Sequence, residues 1–256
     1  MQSPKQVKMN NKVLKFFFDI DDTLYDQYEP FRQAFKYTFG NRYKESNVEN
    51  IFIDSRARSD EVFDMVSRGE IDKEEMYAYR IGKAFEDNGL YLSKPDCLTF
   101  QDNYEIYQGK ICLSRQMQNL LTFLSNQGMF LGIISNGPEQ HQWFKIKTLG
   151  LEKWFPRENI FISGKIGYTK PHREIFQYVE NATHNQSDEC VYIGDAYPID
   201  VVGAKNANWK SIWFNRRHHA QPSNCEYSPD FIVESELELS ELLLAIYHIT
   251  LSFNKK

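Results

Sequence analysis

Asp19 and Asp21 stand one residue apart in the run Asp-Ile-Asp-Asp-Thr that ends at Thr23, directly behind three phenylalanines. Downstream come Ser135-Asn136-Gly137, then Lys170-Pro171, then Gly194-Asp195 with Asp200 soon after. Carboxylates are hard oxygen donors, and four of them in one small site would repel until a divalent cation or protonation relieved the charge. An all-oxygen set with room for water suits Mg²⁺. On this reading Asp19 and Asp195 are direct ligands, the Asp21 backbone carbonyl is a third, and Asp200 orients the shell from the layer behind. Ser135 and the amides of Asn136 and Gly137, expected at a helix N-terminus, suit phosphoryl oxygens. Lys170 supplies positive charge. Each group also has a plainer reading. Asp200 can simply favour the dipole of a first helical turn, Thr23 can be a cap or turn residue, Ser135 a loop hydroxyl and Lys170 a solvated lysine. Asp22 reads as a turn residue.

The elements that must position these groups are legible as hydrophobic patterns. Val13 to Phe18 is a continuous apolar run broken only by Lys15 and ending in acids, the pattern of a parallel strand buried on both faces. Met129–Ile134, Cys190–Ile193 and Ser211–Phe214 resemble it, with weaker strands at Ile160–Ile162 and Phe231–Val233. Helical patterns lie between them: Leu120, Leu121 and Leu124 on one face, Pro138 and Pro171 as expected first-turn residues, and Leu239, Leu242, Leu243 and Ile246 on the face of a last helix. Strands alternating with helices predict a doubly wound α/β core, in which the four motifs fall at the carboxyl ends of strands, where open sheets bind ligands. The stretch from about Gln27 to Gly109 breaks the alternation and carries helical faces only, Phe31/Phe35/Phe39 and Tyr77/Ile81/Ala84/Phe85. The expected division is a core of residues 1–26 and 110–256 with an all-helical insert of residues 27–109.

The ordered set DxDxT, Ser, Lys, GDxxxxD resembles the haloacid dehalogenase superfamily over Val13 to about Asn215, and the helical insert sits where that superfamily carries its first type of cap. The resemblance implies a Rossmann-like core and a phospho-aspartyl mechanism. Asp19 is then the nucleophile, and splitting one displacement into two lowers the barrier of each. Asp21 protonates the leaving oxygen and later deprotonates the attacking water. Ser135 and Lys170 complete the catalytic set, and Thr23, Ser135, Asn136, Gly137 and Lys170 bind substrate. The dehalogenases lack an acid at the place of Asp21, because a halide leaves without a proton, so Asp21 points to phosphate esters. A phosphonatase would need a cap lysine, and nothing marks Lys36 or Lys44. A sugar phosphomutase or other phosphotransferase keeps both aspartates and stays open, as does a non-catalytic binding protein on this fold.

Gly132–Gly137, Gly69–Asp72 and Trp213–His218 look more narrowly like the bacterial pyrimidine 5′-nucleotidase branch, which makes nucleoside 5′-monophosphates the expected substrates. Tyr28, Phe31, Arg56 and Arg58 are the specificity candidates in the insert. His218 and His219 read more readily as exposed loop residues than as ligands.

Bulk properties narrow the classes. Hydrophobic residues make up 41% and charged residues 25% of 256 residues, an ordinary globular balance. A net charge of -5 without a basic face argues against nucleic-acid or membrane partners. Cys97, Cys112, Cys190 and Cys225 lie far apart, which predicts reduced thiols in a cytoplasmic protein. Residues 1–12 carry three lysines and no acid, and the short apolar run behind them predicts a strand rather than a signal peptide or membrane span. The expected species is a monomer or weak homodimer that takes a small phosphate ester with Mg²⁺.

Overall fold

Phe16, Phe17 and Phe18 have no exposed surface at all, the mark of a strand covered on both sides. They form β1 (Lys15–Phe18), the third strand of a six-stranded sheet. The others are β2 (Phe130–Ser135), β3 (Ile160–Ile162), β4 (Cys190–Gly194), β5 (Lys210–Phe214) and β6 (Phe231–Val233). All pairings are parallel and the order is β3-β2-β1-β4-β5-β6. All six predicted strands are present. The computed structural model describes residues 13–43, 47–223 and 226–253, so the lysine-bearing lead-in 1–12, Lys44 and Cys225 lie outside the described residues.

Helices α1 (Tyr28–Phe39), α2 (Val48–Ser67), α3 (Lys73–Asp87), α4 (Lys94–Gln108) and α5 (Arg115–Asn126) separate β1 from β2. Then α6 (Glu139–Leu149) follows β2, α7 (Ser163–Ile166) and α8 (Arg173–Thr183) follow β3, α9 (Val202–Asn206) follows β4, and α10 (Glu236–Phe253) ends the described chain. Pro138 and Pro171 differ from expectation. Both stand before their helices rather than inside the first turn, since α6 begins at Glu139 and α8 only at Arg173.

One face of the sheet buries Phe17, Ile134 and Tyr192 against Phe176 and Val179 of α8, Ala204 of α9 and Trp209. Phe17 and Trp209 meet with ring centroids 4.8 Å apart. Gly132 lies beside Phe17 in register, and a Cβ there would fall 2.5 Å from that ring, so the strand pair needs glycine at this point. Leu120, Leu121 and Leu124 of α5 are buried, as are Leu239, Leu243 and Ile246 of α10, which lies against α5 and β6. α5 starts cleanly because the Ser114 hydroxyl accepts from the Met117 amide.

The described residues up to Tyr25, with those from Cys112 onward, form one compact unit, and Asp26–Ile111 forms a second. Among the described residues the second unit contains α1 to α4 and no strand. Phe31, Phe35, Phe39, Phe52, Phe85 and Phe100 fill its own core together with Ile51 and Ile81. The Phe31 and Phe100 rings are 4.8 Å apart in an edge-on contact. Among the described residues no helix is long and apolar enough to cross a membrane.

Candidate active site

The chain leaves β1 in one direction toward β2, while β4 lies on the other side of β1, so the β1–β4 boundary is where the strand order reverses, the place where open α/β sheets bind ligands. Asp19 follows β1 there. Its amide donates to the Ile193 carbonyl at 2.9 Å and carries the pairing of β1 and β4 one residue past the strand end. Asp195 follows β4 directly, and Trp213 Nε1 donates to its carbonyl at 2.7 Å. Asp200 lies in the π-helical turn Tyr197–Val201 that leads into α9. One carboxylate oxygen from each of Asp19, Asp195 and Asp200 lies within 4.8 Å of the other two.

A buried ammonium holds two of the three. Lys170 Nζ donates to Asp19 Oδ1 at 2.9 Å, Asp200 Oδ1 at 2.7 Å and Tyr192 Oη at 2.7 Å. Tyr192 in turn donates to the Ile134 carbonyl at 2.7 Å, tying β4 to β2. The second oxygen of Asp200 accepts from the Ala196 amide at 2.9 Å. Gly194 makes room for this carboxylate, since a Cβ there would lie 2.4 Å from it.

Burial pushes the Asp19 carboxyl up to about 6, Lys170 pulls it back, and the neighbouring Asp200 and Asp21 add to the rise. Asp195 is held well above the carboxylate range by burial, then by Asp22, Asp200 and Asp19. Burial alone would lower the Lys170 pKa, but Asp19 and Asp200 outweigh it and the ammonium is stabilised. Three desolvated carboxylates facing one cation leave excess negative charge, so the donor set fits a hard divalent ion.

The remaining predicted residues fall differently. Thr23, expected among the substrate-binding groups, is fully buried and donates to Asp195 Oδ1 at 3.4 Å, so it supports a carboxylate instead. Ser135 ends β2 and is 1% exposed. The Asn136 side chain clamps the Lys170 backbone, accepting from its amide and donating to its carbonyl, both at 2.9 Å. The Gly137 amide, expected to meet a phosphoryl oxygen, donates to Ser163 Oγ at 2.9 Å. The cause is a close approach of backbones, with a Cβ at Gly164 falling 2.6 Å from the Gly137 carbonyl oxygen. The Asp21 carboxylate faces Lys145, 2.6 Å and 2.8 Å from its two oxygens, and Tyr25 Oη, 2.7 Å away.

Asp22 is more than a turn residue. It takes a left-handed backbone with φ 53° and forms a buried pair with Arg217 at 2.7 Å. His218 and His219 are both exposed, the first lying 3.3 Å from Glu234. In the helical unit Phe31 is a core residue, Tyr28 is half-buried beside Phe52, and Arg58 pairs with Asp87 and Glu61. Arg56 is half-buried near Asp60. Tyr192, Lys145 and Arg217 escaped the sequence reading. Each acts across more than a hundred residues of chain or from inside an apolar strand, where periodicity gives no sign of a polar role.

A family model described as haloacid dehalogenase-like hydrolase matches residues 16–214. The chain is 34% identical over 122 residues to a glyceraldehyde 3-phosphate phosphatase of Pyrococcus furiosus, covering 47% of this chain and 50% of that protein. It is 32% identical over 114 residues to the pyrimidine 5′-nucleotidase YjjG of Escherichia coli, covering 44% of this chain and 49% of that protein. The chain thus spans about half the length of these curated relatives. Among solved structures, the HAD hydrolase YfnB of Bacillus subtilis, bound to magnesium, has a TM-score of 0.65 at 23% identity, with 91% of this chain and 99% of that one covered. At that identity the likeness speaks for the fold. The matched span runs from β1 to the end of β5 and takes in Asp19, Lys170, Asp195 and Asp200, and the chain belongs to the haloacid dehalogenase-like hydrolase family.

Proposed function

We propose that the chain is a Mg²⁺-dependent phosphate monoester hydrolase working through a phospho-aspartyl intermediate on Asp19. The observation that carries this reading is the buried Lys170 ammonium gripping Asp19 inside a cluster of three carboxylates at the strand-order reversal. A Mg²⁺ ion held by Asp19, Asp195 and the Asp21 carbonyl would supply charge neutralisation for phosphoryl oxygens. Asp200, with both oxygens already engaged by Lys170 and the Ala196 amide, orients its neighbours from behind.

In the first step an Asp19 carboxylate oxygen attacks phosphorus. The bond from phosphorus to the ester oxygen breaks, and its electron pair leaves with that oxygen, which takes a proton from Asp21. In the second step a water attacks the same phosphorus and gives its proton to Asp21. The bond to Asp19 breaks, and inorganic phosphate leaves. Lys170 fixes the nucleophilic carboxylate and offsets charge gathering on the phosphoryl group. Ser135, at the end of β2, is assigned to the phosphoryl oxygens, and Asn136 serves by holding the Lys170 backbone.

The substrates proposed are small phosphorylated metabolites, nucleoside 5′-monophosphates first, with substrate choice assigned to the helical unit as a cap. The nucleotidase and glyceraldehyde 3-phosphate phosphatase relatives support that class. A panel of nucleotides, triose and sugar phosphates with an aryl phosphate control, assayed for phosphate release with and without Mg²⁺, tests it. Metal-dependent release from at least one substrate, lost in Asp19→Asn, is expected. No release from any of them, or unchanged release by Asp19→Asn, would overturn it.

A further inference from the structure

Lys145 is a buried ammonium that the reaction scheme leaves without a task. It sits on α6, its side chain is 3% exposed, and it reaches both oxygens of the Asp21 carboxylate at 2.6 Å and 2.8 Å. Lysines are long, flexible and strongly hydrated, so one held this far from water is held for a partner. Asp21 is also fixed from its own turn. Tyr25, 2% exposed, donates its hydroxyl to Oδ1 at 2.7 Å, and the two residues form a short bridge in the loop behind β1.

The helix that carries Lys145 begins at the loop assigned to phosphate. Gln142 on α6 donates to the Asn136 carbonyl at 2.9 Å, and Asn136 clamps Lys170. One rigid element therefore links the end of β2, the Lys170 backbone and the Asp21 carboxyl.

We propose that Lys145 is a positioning residue for Asp21, aiming the carboxyl that handles the proton at the ester oxygen and then at the water. The inference rests on the reading of Asp21 as acid and base. Lys145 itself gains and loses no proton in the scheme. The proton passes from Asp21 to the ester oxygen as the phosphorus–oxygen bond breaks, and returns to Asp21 from the attacking water. An aspartate side chain turns about two bonds, and the ammonium together with the Tyr25 hydroxyl restricts that turning at Asp21. A proton transfer needs donor and acceptor within hydrogen-bond reach, so an untethered Asp21 spends most of its time misaimed.

The experiment compares wild type, Lys145→Met, Lys145→Arg and Asp21→Asn, with Mg²⁺ present, on an alkyl phosphate and on p-nitrophenyl phosphate. The value of kcat/KM reports the steps through leaving-group departure. An aryl leaving group hardly needs a proton, so a misaimed acid costs it little. Lys145→Met is expected to lower kcat/KM for the alkyl ester at least tenfold more than for the aryl ester, mainly through kcat, and Lys145→Arg to recover most of the loss. Asp21→Asn should show the same bias. If Asp21→Asn loses equally on both esters, the reading of Asp21 fails and takes this inference with it. If Asp21→Asn shows the bias while Lys145→Met loses equally on both or not at all, only the inference about Lys145 falls. Should Lys145→Met not fold, Lys145→Gln stays polar but is uncharged and one bond shorter, so it cannot hold both Asp21 oxygens as the ammonium does. A fall in its alkyl-to-aryl ratio supports the inference, and a ratio equal to wild type overturns it.

Discussion

Replacing Gly194 by alanine asks whether the Asp200 carboxylate is held where the structure places it. A Cβ at this position would lie 2.4 Å from the Asp200 carboxyl carbon and from Oδ2, and 2.7 Å from the Asp200 Cβ. Non-bonded carbons settle at about 3.5–4.0 Å, so the carboxylate must retreat by roughly 1 Å. Such a retreat breaks or strains hydrogen bonds that now run 2.7 Å to Lys170 and 2.9 Å to the Ala196 amide. Overpacking alone costs about 1–3 kcal/mol, and weakening bonds to a charged group costs about 1.5–3 kcal/mol. The two overlap, because motion that relieves the clash is what stretches the bonds, and a loss of ~3 kcal/mol is expected. Urea unfolding in EDTA of wild type, Gly194→Ala, Asp200→Ala and the double variant measures it. In the double variant the new methyl enters space the carboxylate has vacated and keeps only the 2.7 Å approach to the Cβ of residue 200. The Gly194→Ala loss should therefore be clearly smaller on the Asp200→Ala background than on wild type, a coupling of about 1–2 kcal/mol between the two sites. Additive losses would place the clash elsewhere and refute the reasoning.

Asp19→Asn should reduce turnover to background while cooperative unfolding in EDTA is retained, since an amide cannot attack phosphorus; substantial Mg²⁺-dependent activity would sink the mechanism. Burial raises the Asp19 pKa to about 6, above its unfolded value, so its stabilising contribution to the metal-free protein is full below about pH 4 and is lost as pH rises through about 6. The stability of wild type minus that of Asp19→Asn, measured in EDTA, should therefore fall by ~3 kcal/mol between pH 4 and pH 7. Millimolar Mg²⁺ should raise the melting temperature, more at pH 7 than at pH 5 because the ion competes with the Asp19 proton, and Asp195→Ala should blunt the response. Arg56→Ala should reorder preference among nucleoside monophosphates while sparing p-nitrophenyl phosphate, and an unchanged profile across the panel would remove Arg56 from substrate choice. Phe31→Ala, by contrast, should unfold the helical unit at lower urea by about 3–5 kcal/mol, the usual penalty for emptying a phenylalanine site in a core.

Period and position made the frame legible. Phe16 to Phe18 read as a two-sided strand because all three are apolar, and Phe31, Phe35 and Phe39 read as a helix face because they recur at four-residue spacing. Asp19, Lys170, Asp195 and Asp200 were legible because each follows a strand or opens a turn at the same edge of the sheet. What stayed hidden was direction. Nothing local says that the Gly137 amide turns to Ser163, that Thr23 points at Asp195, or that Asp21 meets Lys145, because each partner is set by how separate elements close on one another. Asp22 looked like turn chemistry for the same reason. Its backbone is that of a turn residue, while its charge is spent on Arg217, nearly two hundred residues away.

The central place of β1 bears on the chain before it is folded. Its partners arrive late, β2 beginning at Phe130 and β4 at Cys190. At about 5–20 residues per second the triple phenylalanine stays unpaired for roughly ten seconds during synthesis. A short aromatic run of this kind is a template for pairing between chains, and flanking charge is what blocks it. Lys15 stands at one end and Asp19, Asp21 and Asp22 stand at the other. In the extended nascent chain these carboxylates are hydrated and fully charged, so they act as gatekeepers against aggregation. The acids of the site thus serve the newborn polypeptide before they serve the folded one.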